Sequence, residues 1–239
     1  TWLGDIYYAT KDYAATLVFF AVVIAFVRRG IFKPERYAYP ESYHDHTWEA
    51  LLVLVFIGTL MVSESLFEAA EVAAQIKAGV EPDFLAPATL AWFFKNIFLD
   101  NSYESLQAAH IISYFVHDLV FFTFLCFLPL GKHFHVITSI FNVYFMRLQK
   151  GSIRPVRYGV TEDKLDEVAS FGVKRFEDFT WKDILDFYTC ADCGRCSDNC
   201  PANAVGRPLA PRMISLKGRD YAFEHFPLFG DFIRTDDTL

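Results

Sequence analysis

The sequence predicts an all-α protein in two parts: a transmembrane helix bundle of about three spans plus an interfacial helix, then a small α-helical soluble domain. Two observations carry that reading. Apolar tracts lie at 13–27, 50–62 and 103–131, with basic residues following the first and the third, as they do on the inner side of membrane spans. Behind them, residues 190–201 read Cys-Ala-Asp-Cys-Gly-Arg-Cys-Ser-Asp-Asn-Cys-Pro in a polar setting. That run is C-x2-C-x2-C-x3-C-P, the spacing with which bacterial ferredoxins wrap a cubane cluster. The second part is therefore predicted to be a ferredoxin-like [4Fe–4S] domain.

Composition agrees with a divided chain. The 239 residues are 53% hydrophobic and include 26 Phe and 12 Tyr, yet mean hydropathy is only +0.22. The apolar residues must therefore be concentrated in one part, and we place the boundary at 1–150 and 151–239. A net charge of −7 argues against nucleic acid as a partner. Four of the five Cys lie in the run, which suits a reducing compartment better than a disulfide scaffold. Cys126, in an apolar stretch, is expected to be a packed thiol. Thr1 reads as the start of a segment rather than of a gene product.

Residues 13–27 (YAATLVFFAVVIAFV) with Ile6–Tyr8 upstream form the first span, with Trp2, Tyr7 and Tyr8 at the interface. Arg28, Arg29, Lys33 and Arg36 follow, so this end is expected on the cytoplasmic side of the plasma (inner) membrane. After Pro34 and Pro40, a second helix runs outward through 50–62 and becomes acidic at Glu64, Glu68 and Glu71. The stretch 85–100 is short and carries Trp92 and Lys95, so it is expected to lie at the outer interface. Residues 103–131 are predicted to form the longest apolar helix, returning to Arg147, Lys150, Arg154 and Arg157 inside. Residues 136–146 are expected along the inner surface. Gly151, Ser152 and Pro155 mark a linker, 161–170 read as an exposed helix, and Thr180–Asp183 as a capped helix delivering Cys190. Residues 208–226 are expected to be a short helical pair.

In the Cys run, closely spaced thiolates on Cys190, Cys193 and Cys196 suit three irons of one cluster, while Cys200 suits the other cluster of a two-cluster protein. Pro201 turns the chain away. Zinc sites usually separate two C-x2-C pairs by a dozen residues or more, which favours iron–sulfur. Residues 201–239 contain no Cys, so the first cluster lacks a fourth protein thiolate. A second such run is expected beyond Leu239 or in a tightly bound partner.

Six of the seven His lie in the first part, where ionisable groups are costly and usually functional. His117 and His135 are eighteen residues apart, about 27 Å along one continuous helix. His46, at the inner start of the second span, is expected at the depth of His135, so the pair suits an inner haem b; His44, His133 and His110 are the alternative haem ligands. His110 and His117 share a helix face, but about 10 Å of rise keeps them from sandwiching one iron. At the outer level three readings stay open. They are a second haem with a partner such as Met61, a quinone and proton site of His117, Asp118 and Glu64, and a hydrogen-bonded polar pair.

Two resemblances add to this. His117-x17-His135, with Pro129 six residues before the second His, resembles the last helix of the cytochrome b (gamma) subunit of respiratory nitrate reductase. That resemblance implies haem ligation by both residues. The family has five spans and a second His ten residues beyond the position of His46, where this chain has Phe56. The stretches Lys132-His133-Phe134-His135-Val136 and Phe176-Glu177-Asp178-Phe179-Thr180-Trp181-Lys182, then the Cys run, resemble membrane-fused relatives of the iron–sulfur subunit of heterodisulfide reductase. Electron-transfer-flavoprotein:menaquinone oxidoreductases belong to that group. This resemblance implies a haem-bearing membrane domain and two [4Fe–4S] clusters. The function expected is transfer of electrons between a cytoplasmic redox partner, such as an electron-transfer flavoprotein, and the menaquinone pool. The competing expectation is a structural anchor that docks a larger redox complex without quinone chemistry of its own.

Overall fold

The computed structural model describes residues 2–37, 47–146, 148 and 173–226. His44, His46, the linker near Gly151 and the helix expected at 161–170 lie outside the described residues. Among the described residues there is helix and no strand. By its contacts the chain forms two compact units, Thr1–Phe127 and Leu128–Leu239.

The first unit is built on α2 (Thr47–Ala78), with α1 (Trp2–Gly30), α3 (Leu90–Phe98) and α4 (Tyr103–Phe127) against it. Three stretches, Trp2–Gly30, Thr47–Ala78 and Tyr103–Leu130, are long and apolar enough to cross a membrane. At 32 residues α2 is longer than the 25-residue α4, so the longest apolar helix is the second and not the one beginning at 103. Small residues let its neighbours approach: Ala69, Ala70 and Ala73 are fully buried, and Val22 packs on Gly58. Close backbone approach over small side chains is how helices associate where lipid is as apolar as the side chains. Leu17, Ile24, Phe115 and Leu119 are exposed, a surface that suits lipid. Cys126 is also exposed rather than packed, because it lies on this outward face. The nine residues of α3 rise only about 14 Å, too short to span about 30 Å of hydrocarbon.

Polar side chains of α1 anchor the approach to α3. Buried Asp12 accepts from the Ala86 N–H at 3.0 Å, Thr16 accepts from the Leu90 N–H at 3.0 Å, and the Tyr13 hydroxyl donates to the Pro87 carbonyl at 3.1 Å. Thr89 then caps α3 by accepting from the Trp92 N–H.

The helix after 103 does not run through to 131. It ends at Phe127 and breaks into turns at Leu128–Leu130 and Lys132–Phe134 before α5 (His135–Tyr144) begins. Pro129 has no N–H to donate and its ring opposes the preceding turn, and extended Gly131 then redirects the chain. His117 and His135 therefore belong to different helices, and the 27 Å separation expected along one axis does not apply.

In the second unit α5 packs on α6 (Trp181–Tyr188). The Thr138 hydroxyl donates to the Tyr188 carbonyl at 3.3 Å, Asn142 donates to Asp186 at 2.9 Å, and Lys182 donates to Asn142 at 2.6 Å. Short helices α7 (Arg195–Asp198) and α8 (Pro201–Ala204) lead to α9 (Pro211–His225). One fifteen-residue helix thus occupies the region where a helical pair was expected; Pro211 opens it, and nothing inside it breaks the turn. The core of this unit is aromatic: Phe176 and Phe187 are buried with Ala222, and Phe179, Ile184, Tyr188, Tyr221 and Phe226 pack around them. The Phe176–Thr180 stretch thus supplies core and cap.

Candidate functional site

The cysteine loop is set by what precedes it. Thr180 accepts from the Asp183 N–H at 3.3 Å and Asp183 accepts from the Thr180 N–H at 3.1 Å, a reciprocal cap that fixes the start of α6. Two turns later the helix hands the chain to Cys190, whose N–H donates to the Phe187 carbonyl. Asp192 (φ 55°) and Gly194 (φ 76°) are left-handed, so the chain curls twice between Cys190 and Cys196. Cys200 caps α8 with Pro201 at its first position. Cys193 and Cys196 are exposed, and Cys190 and Cys200 are half-buried.

Charge surrounds this loop from within. Asp192 is buried and accepts from Arg212 Nε at 2.7 Å, and Lys132 Nζ lies 4.0 Å from its other oxygen. All three side chains are nearly inaccessible, at 1%, 6% and 5% exposure respectively. Arg219 is buried too, bonds Asp220 at 3.1 Å, and its Nη1 has no hydrogen-bond partner among the described residues. Burial pushes the Cys190 thiol up, opposed by the Asp192 N–H and the Arg219 charge. Burial likewise raises the Tyr188 phenol.

These residues fit an anionic cluster. An orphaned guanidinium N–H, with cations around a thiol-rich loop, matches thiolate and sulfide acceptors better than a neutral core. Among the described residues no three His, Cys, Asp or Glu side chains converge on one metal point. A cubane does not require it, because each thiolate takes its own corner.

His135 opens α5 in the same unit. Its Nδ1 lies 2.7 Å from the Lys132 carbonyl. A carbonyl only accepts, so Nδ1 carries the proton and Nε2 keeps its lone pair. Metal-ligating histidines are usually oriented in this way. His133 stands beside it, ring centroids 5.9 Å apart.

A second polar group lies within the first unit. His117 Nδ1 is 3.2 Å from the Ser63 hydroxyl oxygen and 3.7 Å from Glu64. Ser63 donates its own O–H to the Leu60 carbonyl, so it accepts from His117. Glu64 also accepts from Lys11 at 3.3 Å, and Lys11 pairs with Glu68. Of the expected trio, Glu64 and His117 are brought together, whereas Asp118 is bonded to Tyr114 one turn earlier. Phe56 packs on Phe124 and Phe127, centroids 5.7 and 6.0 Å apart. His110 donates to the Phe67 carbonyl, stacks on Phe67 at 4.0 Å, and with Glu71 and Gln107 lines a cavity of about 410 Å³.

Sequence reasoning missed Lys11, Lys132, Asp192, Arg212 and Arg219. An Asp inside a polar loop and Arg residues on a polar helix read as solvated. Only Lys11, isolated just before an apolar tract and facing acids on the next span, offered a signal.

No family model and no solved structure matches the chain. Among curated proteins it is 30% identical over 182 residues to "EtfAB:quinone oxidoreductase" of Syntrophomonas wolfei, covering 74% of this chain and 25% of that one. It is 29% identical over 226 residues to "Probable iron-sulfur-binding oxidoreductase FadF" of Bacillus subtilis, covering 93% and 30%. With 93% of the chain matched, that likeness takes in both the apolar helices and the cysteine run. Over 49 residues it is 47% identical to "Probable membrane-anchored ferredoxin" of Chromohalobacter salexigens, covering 20% and 7%. The chain thus spans less than a third of each relative's length. The oxidoreductase names support an oxidoreductase or an electron-transfer subunit of one.

Proposed function

We propose that the chain is a membrane-anchored electron conduit. It passes electrons between a cytoplasmic redox partner, such as an electron-transfer flavoprotein, and the menaquinone pool, through a ferredoxin-like [4Fe–4S] domain on the cytoplasmic side and haem b. Cys190, Cys193, Cys196 and Cys200 supply the cluster thiolates, the last for a second cluster. His46 and His135 hold the inner haem. The cofactors supply one-electron chemistry when bound, and the protein supplies ligands, burial and charge that set their potentials.

The observation that carries the reading is Lys132. Its carbonyl orients His135 and its ammonium faces Asp192 inside the cysteine loop, so the proposed ligands of the two cofactors share one short support. The names of the quinone-linked and iron–sulfur relatives support the quinone and iron–sulfur parts of the reading. In the first unit, Glu64 and His117 are the groups that take or release protons as quinone is reduced or quinol oxidised. Phe56, packed among aromatic rings where the nitrate reductase gamma-like pattern would have a second His, favours this over an outer haem.

The test is a dithionite-reduced spectrum with iron analysis on purified full-length protein. Bands of b-type haem together with cubane iron are expected. Iron without b-type bands would leave a docking anchor, and absence of both would overturn the proposal.

A further inference from the structure

We propose that the buried Asp192–Arg212 pair is a potential-setting element for the cluster of the cysteine run, holding one fixed negative charge inside the loop against a matching cation. The inference rests on the iron–sulfur reading above and extends it to residues that are not ligands.

Three features of the pair argue for a role beyond packing. First, its position is internal to the proposed ligand set: Asp192 lies between Cys190 and Cys193, and its carboxylate turns inward to 2% residue exposure. Second, it is costly. A buried ion pair loses more hydration than hydrophobic residues of the same volume would. Third, further charge lies close by: Lys132 stands 4.0 Å from Asp192, and buried Arg219, itself paired with Asp220 at 3.1 Å, acts on Cys190.

Reduction adds one negative charge to a cluster, and cluster potential responds to nearby net charge and burial. In a poorly solvated site a fixed charge acts strongly, because little water screens it. Arg212 therefore favours the reduced cluster and Asp192 the oxidised one. With both present the two effects largely cancel, and Lys132 adds a further cation beside Asp192. Removing either partner alone shifts the balance in opposite directions, which a purely structural pin would not do.

The experiment is an EPR-monitored redox titration of full-length protein, with iron and acid-labile sulfide measured on each sample. Arg212→Gln is expected to lower the midpoint potential of one cluster signal and Asp192→Asn to raise it. The double variant should fall between them. Asn accepts the left-handed backbone as Asp does, so Asp192→Asn keeps the loop geometry. Arg212→Lys keeps the charge and loses the planar fork, and should remain near wild type. Single variants that shift the same way, or not at all, at wild-type iron content would overturn the inference. So would loss of iron in both Asp192→Asn and Arg212→Lys, which would make the pair a loop clamp. A wild-type protein without iron would instead sink the iron–sulfur reading itself, and this inference with it.

Discussion

The Lys132 carbonyl accepts the Nδ1–H of His135 at 2.7 Å, and this bond leaves Nε2 as the one basic nitrogen of the ring. Because the acceptor belongs to the backbone, the orientation of His135 does not depend on the Lys132 side chain. The short turn at Lys132–Phe134, forced by the break at Pro129 and Gly131, presents that carbonyl just before α5 begins.

His135→Ala is accordingly expected to remove at least one b-type haem from the purified protein, read as the ratio of haem to protein. Lys132→Ala should retain it, since the carbonyl remains. An unchanged haem ratio in His135→Ala would transfer the ligand role to His133 or His44.

In the first unit the geometry separates two carboxylates that looked equivalent as letters. Glu64 reaches His117 across helices, whereas Asp118 is engaged with Tyr114 on its own helix. Glu64→Gln should slow quinone-linked turnover by about 100-fold, the scale of a lost proton-transfer group, at unaltered haem and iron content. Asp118→Asn should cost far less. Steady-state quinol kinetics on both variants decide it, and the reverse order of effect would restore Asp118 to the site.

Much of this architecture is legible in the sequence, for identifiable reasons. Apolar runs with basic flanks mark spans because the bilayer imposes both. The cap at Thr180 is visible because its two partners are three residues apart. What stays hidden is long-range. Nothing local to Asp192 announces Arg212 twenty residues on, and the isolation of Lys11 before an apolar tract signals an anionic partner without naming Glu64 on another helix. The continuous helix expected across Pro129 fails for a different reason. A long apolar tract outweighs a proline and a glycine on paper, although the missing N–H and the extended Gly131 together end the helix.

Lys11 also sets the stability of the first unit. Its ammonium pairs with Glu64 and Glu68 across α1 and α2, at 25% exposure against 32% and 15%. Breaking a fully buried pair costs about 3–5 kcal/mol, and partial exposure reduces that to about 1–2 kcal/mol here. Lys11→Met should lower the thermal midpoint in detergent, and adding Glu64→Gln with Glu68→Gln should recover much of the loss. If the triple variant is no more stable than Lys11→Met, repulsion between the two carboxylates is not the cause.

The core beneath the cysteine loop carries a further prediction. A methyl group at Gly218 would stand 3.0 Å from Cδ2 and Cε2 of the Phe187 ring and 3.1 Å from its Cγ. Phe187 is itself fixed by Phe179 at 5.0 Å and Phe176 at 6.2 Å, and α6, which carries it, delivers Cys190. The ring therefore has little room to yield, and overpacking of this kind costs about 1–3 kcal/mol. Gly218→Ala is expected to speed the loss of iron on mild heating while leaving the haem spectrum intact. Pairing it with Phe187→Leu, which clears the ring, should restore part of the lost retention. Iron release from Gly218→Ala at the wild-type rate would mean that α9 shifts freely, and that the packing of α6 on α9 does not hold the loop.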